Sequence, residues 1–322
     1  VVSVNGEALA ATGSDNRVWY WNLSDSQEPV ALAGSADRVG ILAISSDGRR
    51  VAAGGDDDTV QLWEIADGQV ESQSALTGPS GIVLSVAFAP DGEVLASGHS
   101  DGSVWLWDTT DGTPLRTLTG HDDWVRQVAF SPDGLLLASA GDDNLIRFWN
   151  AADGQLLTTL TGHTGWVTNI AFSPGGSRLA SGGFDDSVRV WSVPDGALIT
   201  TLAAFGTDIS ALTFSPDGLT LAAATDDGAV AVWRAGQSDA MTLLGSHDDR
   251  VTSLAFSPDG RLLASGATDS RARLWDVTEA TELTRLLDYT DRVWSVAFTP
   301  DGRLLAPASD DGHVRLWGIP NW

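Results

Sequence analysis

His121, Ser139 and Asp143 have the composition of a nucleophilic triad, in which an imidazole takes the serine proton and a carboxylate orients the imidazole. The same trio returns at the same offsets as His163, Ser181 and Asp185, and again as His247, Ser265 and Asp269. Each copy ends in a tryptophan six residues after its aspartate: Trp149, Trp191 and Trp275. Three copies, each tied to a Trp, fit a repeated buried hydrogen-bond network better than three active sites. No catalytic residue is therefore assigned. Gly98-His99-Ser100-Asp101-Gly102 matches G-x-S-x-G literally, but it joins two strands in a hairpin, whereas a nucleophile elbow needs strand, turn and helix. Gly55-Asp56-Asp57-Asp58 lacks the spacing and the bidentate Glu of a calcium loop. His99 and His313 fall in turns without a second ligand at zinc-like spacing, so neither metal nor cofactor is expected.

The residues around these trios are organised by a repeat. Eight tryptophans, Trp21, Trp63, Trp107, Trp149, Trp191, Trp233, Trp275 and Trp317, are spaced 42 residues apart, with one interval of 44 between Trp63 and Trp107. An aspartate precedes each by six: Asp15, Asp57, Asp101, Asp143, Asp185, Asp227, Asp269 and Asp311. Such a period marks one supersecondary unit copied along the chain, too small to bury its apolar faces alone. One copy reads as strand VTSLAF (251–256), turn Ser257-Pro258-Asp259-Gly260, strand RLLASG (261–266), turn Ala267–Ser270, strand RARLWD (271–276) and a short strand near ELTRLL (282–287). The third strands are apolar on alternate positions (Val60 and Leu62, Ile146 and Phe148), and the opposite side carries the Trp and often an Arg two residues earlier. Both faces are partly apolar, as in a sheet stacked between two others. The expectation is an all-β, eight-bladed β-propeller of four-stranded antiparallel sheets over residues 1–322.

Composition narrows the partners. The net charge is −25, with only seven Glu among the 43 acids, and such a surface repels phosphate backbones and anionic lipid. Nucleic acid and direct membrane insertion are not expected, and no apolar run approaches the length of a membrane span. Many of the Asp residues are turn formers. The chain has no Cys, which excludes disulfides and thiolate metal sites and leaves the compartment open. All 18 basic residues are Arg, which excludes a Schiff-base lysine and points to a GC-rich coding genome.

The FSPDG turns (Phe130–Gly134, Phe214–Gly218, Phe256–Gly260), the LASG strands, the Asp and Trp at fixed spacing and the Gly-His pair before the first strand resemble the WD-repeat (WD-40) β-propeller family along essentially the whole chain. The resemblance implies a buried hydrogen-bond chain of His, Ser, Asp and Trp within a blade, complete in the three copies named above. Elsewhere the His place holds Ser35, Pro79, Phe205 or Tyr289, and the Ser place holds Ala11, Ala53, Ala223 or Pro307. Those blades are expected to be softer. Val1 and Val2 align with the end of a first strand, so a closing strand is expected upstream of Val1.

The resemblance also implies that partners dock on the rim formed by the approach to the first strand and the turn between second and third strands. The lead residues there are Arg38, Ile82, Trp124, Trp166, Asp208, Arg250 and Arg292. Two residues on stand Gly40, Leu84, Arg126, Thr168, Ser210, Thr252 and Trp294. These places vary while the framework repeats, and Trp and Arg are types enriched in interface hot spots. Trp124, Arg126, Trp166 and Phe184 form one expected patch, and Arg250, Arg292, Trp294 and Tyr289 a second, with Arg38 also on the rim. The competing packing role is that Trp124 and Trp166 plug a channel mouth. The function expected is a non-catalytic protein-interaction scaffold, binding protein partners within a larger complex and no small-molecule substrate. The alternatives are a sensor or autoinhibitory module of a switch NTPase or kinase, and a hydrolase or carbohydrate-binding propeller.

Overall fold

Strands of five to nine residues, parted by Asp-Gly turns, account for nearly all the regular structure of the computed structural model. It describes residues 1–12, 17–23, 29–32, 39–78, 81–202, 205–234, 241–287 and 289–319. They form eight antiparallel sheets, each made of consecutive strands and each carrying one repeat Trp; they are numbered here 1 to 8 in chain order. Sheets 2 to 7 have four strands, and sheets 1 and 8 have three among the described residues. Sheet 7 shows the repeat: Val251–Phe256, Leu262–Ala267, Ala272–Asp276 and Thr281–Leu286. The fold is an all-β propeller, with the sheets as its blades.

The chain divides into two compact units, Val1–Gly162 with sheets 1 to 4 and His163–Trp322 with sheets 5 to 8. Within each unit the core lies between successive sheets. In the first unit, Val60, Leu62 and Leu76 of sheet 2 meet Val83, Leu95 and Trp107 of sheet 3. Leu106 and Leu118 of sheet 3 meet Val125, Leu137 and Trp149 of sheet 4 in the same way. In the second unit Val188 and Leu202 pack on Trp233, and Val230 and Val232 on Trp275. The alternation of the third strand explains this arrangement. One of its faces sends Val, Ile or Leu toward the next sheet, and the other sends the Trp toward the sheet before.

Val1 and Val2 lie where their alignment places them, with Val2 bridged to Leu9 and the Ala10 N–H donating to Val1 O at 2.9 Å. In sheet 8 the third strand is reduced to Trp317–Gly318 and an isolated bridge between Ala308 and Val314.

In sheets 2, 4, 6, 7 and 8 the turn after the first strand is built by its own side chains. Ser131 Oγ donates to Asp133 Oδ1 at 2.5 Å, and that oxygen also accepts the Leu135 N–H at 3.0 Å, with Gly134 at φ 72° closing the turn. Asp217, Asp259 and Asp301 repeat the pattern. The hydroxyl bonds hold these exposed carboxyls below the usual carboxylate range. Much of the acidity of the chain is thus committed to turns.

Candidate interaction rim and the buried networks behind it

Sheets 4, 5 and 7 each carry a complete hydrogen-bond chain. In sheet 5, Trp191 Nε1 donates to Ser181 Oγ at 2.8 Å, and the hydroxyl meets His163 Nε2 at 2.7 Å. His163 Nδ1 lies 3.0 Å from both oxygens of Asp185, which also accept the Thr164 N–H and the Ser187 hydroxyl. Sheets 4 and 7 repeat the chain through His121, Ser139, Asp143 and Trp149, and through His247, Ser265, Asp269 and Trp275. The connectivity from Asp to His to Ser is that of a nucleophilic triad. Here each Ser is fully buried and its oxygen already accepts from the Trp, so the hydroxyl offers no open approach to a substrate carbonyl.

A further partner of the aspartate went unread in the sequence. The Arg two residues before the Trp turns back to the carboxylate four residues before it: Arg147 to Asp143 at 2.7 Å, Arg315 to Asp311 at 2.8 Å, Arg273 to Asp269 at 3.5 Å and Arg189 to Asp185 at 3.7 Å. The i, i+4 spacing across a turn was the available signal. Burial would raise the Asp143 carboxyl, but the hydrogen bonds and charges of His121 and Arg147 outweigh it and bring it down to about 2. Against the same burial, Asp185 is lowered by His163, the Thr164 N–H and the Ser187 hydroxyl, and Asp269 by His247, the Asp248 N–H and the charge of Arg273.

Where the framework departs from the pattern, the sheets compensate differently. In sheet 3 the His place is Pro79, outside the described residues, and His99 supplies the imidazole from another direction. The sequence places His99 in a turn. It instead ends the strand Val94–His99, is buried, and puts Nε2 2.8 Å from Ser97 Oγ, which accepts Trp107 Nε1 at 2.8 Å. Residues 97 and 99 share one face of a strand, and that two-residue spacing was the overlooked sign. Burial pushes the His99 imidazole below its ordinary value, against the pull of its bond to Gly81 and the charges of Asp101 and Asp58.

In sheet 8 Tyr289 stands at the His place, and its hydroxyl accepts Trp317 Nε1 directly at 3.0 Å while Arg315 lies over the ring at 4.7 Å. Tyr289 is only 5% exposed, so it belongs to the interior of its sheet and is corrected out of the rim patch. Its length lets it span the place of both His and Ser. Sheets 2 and 6 have Ala53 and Ala223 in the Ser place, and there the buried Trp63 and Trp233 indole N–H groups have no hydrogen-bond partner among the described residues. Phe205 packs edge-on against Trp233 at 5.5 Å, replacing the imidazole by apolar contact.

The rim side chains owe their position to a β-bulge. In every first strand from sheet 2 to sheet 8 the register slips by one residue, and the residue that the ladder skips is Gly40, Leu84, Arg126, Thr168, Ser210, Thr252 or Trp294. A bulge bends the strand and re-aims the extra side chain. The lead residue is fixed as well: the Trp124, Trp166, Asp208, Arg250 and Arg292 carbonyls accept the N–H of Asp142, Phe184, Asp226, Thr268 and Asp310 at 2.9–3.0 Å. Each of sheets 4 to 8 therefore presents a lead, a bulge and a loop residue at one end. Arg38 lies outside the described residues.

In the first unit, Arg126 donates to both oxygens of Asp142 at 2.7 Å and lies 4.6 Å from the Trp124 ring. In the second, the Trp166 and Phe184 rings stack with centroids 5.1 Å apart. Arg250 pairs with Asp226 at 3.1 Å, and Arg292 is exposed. Trp124, Trp166 and Trp294 are 37%, 41% and 42% exposed, which is unusual for the largest apolar side chain.

Residues 134–319 match the family model described as IFT122 first beta-propeller, and residues 28–64, 70–108 and 112–150 match that of the WD domain, G-beta repeat. The chain belongs to the WD-repeat β-propeller family. Propellers of this family generally mediate protein–protein interactions. No curated protein matches the chain.

Proposed function

We propose that this chain is a non-catalytic scaffold that binds protein partners through the variable side chains of the bulged rim. The observation that carries this reading is the bulge itself: a recurrent backbone device holds Arg126, Thr168, Ser210, Thr252 and Trp294 at one place in their sheets while their chemistry changes from sheet to sheet. Side chains held on a rigid frame lose little freedom on binding. The exposed tryptophans are hot-spot types, and none is part of the His–Ser–Asp–Trp framework. The buried Ser–His–Asp trios are accounted for by packing, which supports a role without catalysis.

The test is capture of a partner from the native source with the intact chain and its Trp124→Ala and Trp294→Ala variants, with cross-links to locate the contact. Either substitution at a hot spot should weaken the partner by about 2 kcal/mol or more while the fold survives. Cross-links concentrated at Asp91, Asp133, Asp217 and Asp259, with both variants binding normally, would overturn the assignment to this rim.

A further inference from the structure

Sheet 4 satisfies its own rim carboxylate. Its lead residue is Trp124, its loop residue Asp142 and its bulge residue Arg126, and the guanidinium lies against the indole while binding Asp142 at two points, each 2.7 Å. In the second unit the same places are filled differently. Sheet 5 offers the stacked rings of Trp166 and Phe184 with Thr168 on the bulge. Sheet 6 has acids at both the lead and the loop place, Asp208 and Asp226, and on its bulge stands Ser210. The aromatic and acidic elements recur here, but no arginine stands on the bulge of sheet 5 or 6; the loop carboxylate Asp226 is met instead by Arg250 of sheet 7.

A third carboxyl joins them. Asp186 lies two residues after Phe184 on the same turn, and its side chain is within hydrogen-bonding reach of Asp208. Its carbonyl accepts the Phe205 N–H at 3.3 Å, which ties this turn to the approach of sheet 6. Arg250 of sheet 7 reaches Asp226, Nε 3.1 Å from Oδ1, and its charge also acts on Asp208, which has Asp186 beside it. Burial, followed by the charges of Asp226 and Asp186, holds the Asp208 carboxyl above its ordinary value against the pull of Arg250.

A separate observation points to a missing donor. Ser210 is 8% exposed, and its hydroxyl has no hydrogen-bond partner among the described residues. It stands at the bulge place that in sheet 4 holds Arg126, between the lead acid Asp208 and the rest of its strand. An unpartnered buried hydroxyl is costly and marks a place for a donor.

We propose that Trp166, Phe184, Asp186, Asp208, Ser210 and Asp226 form a receptor for an arginine side chain carried by an extended basic segment of a protein partner. The guanidinium lies against the aromatic pair, as Arg126 lies against Trp124, and donates to the Asp208 and Asp186 carboxylates and to Ser210 Oγ. A planar fork of donors fits this combination of ring face and paired carboxylates better than a lysine ammonium. The negative field of the chain steers such a segment inward. The proposal rests on the rim reading given above and names the partner chemistry for one part of it.

The test uses the intact chain and fluorescently labelled Gly/Ser peptides carrying two arginines, two lysines or two citrullines, the last being neutral and nearly isosteric with arginine. The arginine peptide should bind about tenfold more tightly than either of the others. Asp208→Asn should reduce its affinity about tenfold, whereas Asp195→Asn, an equal charge change at an exposed site elsewhere, should leave it within about twofold. Ser210→Arg, which copies the arrangement of sheet 4, should block the peptide with the thermal melt preserved. Equal binding of the arginine and lysine peptides, or equal effects of the two Asn variants, overturns the proposal in favour of general charge attraction. No binding of the arginine peptide overturns it too. A native partner that requires Trp124 but is indifferent to Asp208→Asn removes this receptor and leaves the rim reading standing.

Discussion

His99 Nε2 lies 2.8 Å from Ser97 Oγ, the distance at which His121 Nε2 meets Ser139 Oγ one sheet later, although the two imidazoles come from different places in the repeat. His121 precedes its first strand, and His99 ends its second. What is preserved is the acceptor for the indole N–H: a Ser hydroxyl held by an imidazole nitrogen. The partner of the other ring nitrogen changes, since His121 Nδ1 faces the Asp143 carboxylate and His99 Nδ1 faces Gly81 O at 3.5 Å.

That difference predicts a pH effect in sheet 3. The folded chain lowers the affinity of His99 for a proton, so the unfolded chain binds the proton first, near its ordinary value of about 6.5. The stability contributed is present above that value and is lost as pH falls through it. His99→Gln should therefore show a flatter loss of urea-unfolding stability between about pH 7 and 5 than the parent. Parallel slopes for the two proteins would refute the buried neutral imidazole.

Sheets 5 and 6 offer an internal comparison of the repeat aspartate. The Asp185 side chain is buried against His163, while Asp227 is exposed and accepts Thr225 Oγ1 at 2.5 Å with Phe205 in the His place. Asp185→Ala should cost about 2–4 kcal/mol, because it strands the imidazole and the backbone and hydroxyl donors around it. Asp227→Ala should cost less than about 1 kcal/mol. Chemical denaturation of the two variants decides; equal losses would show that the network adds nothing to a turn-forming role.

Acid should unfold the network sheets through these carboxylates. Asp143 titrates at about 2 when folded and near about 3.9 when unfolded, so its contribution is complete above pH ~4 and disappears as pH falls through about 2. Asp143→Asn should start less stable than the parent and lose less between those two pH values. Unfolding midpoints at both ends of the window test this; a variant with the parent's acid sensitivity would refute it.

The indole N–H of Trp233 can be given a partner. Ser265 Oγ accepts Trp275 Nε1 at 2.8 Å, and Ala223 holds the equivalent buried place beside Trp233. Ala223→Ser should stabilise by roughly 0.5–1.5 kcal/mol, the net worth of a hydrogen bond that replaces an unsatisfied donor. A lower melting temperature would mean that Phe205, edge-on to that indole, leaves no room for the hydroxyl.

Much of this protein was legible in its residues. The eight Trp–Asp pairs, the Pro/Asp/Gly turns and the period-two strands determined an all-β propeller and placed the three complete networks, because these depend on local spacing and on which side of a strand a residue faces. The tertiary structure decided the rest. His99 and Tyr289 looked respectively idle and rim-exposed until the fold brought Ser97 and Trp317 beside them, contacts across strands that spacing from the repeat Trp does not encode. The rim positions were visible as variable residues, but the reason they share one place was not. A one-residue slip between two strands is a property of their pairing, and only the paired backbone turns Arg126 onto Asp142 and puts Ser210, whose hydroxyl has no hydrogen-bond partner among the described residues, at the same place in sheet 6.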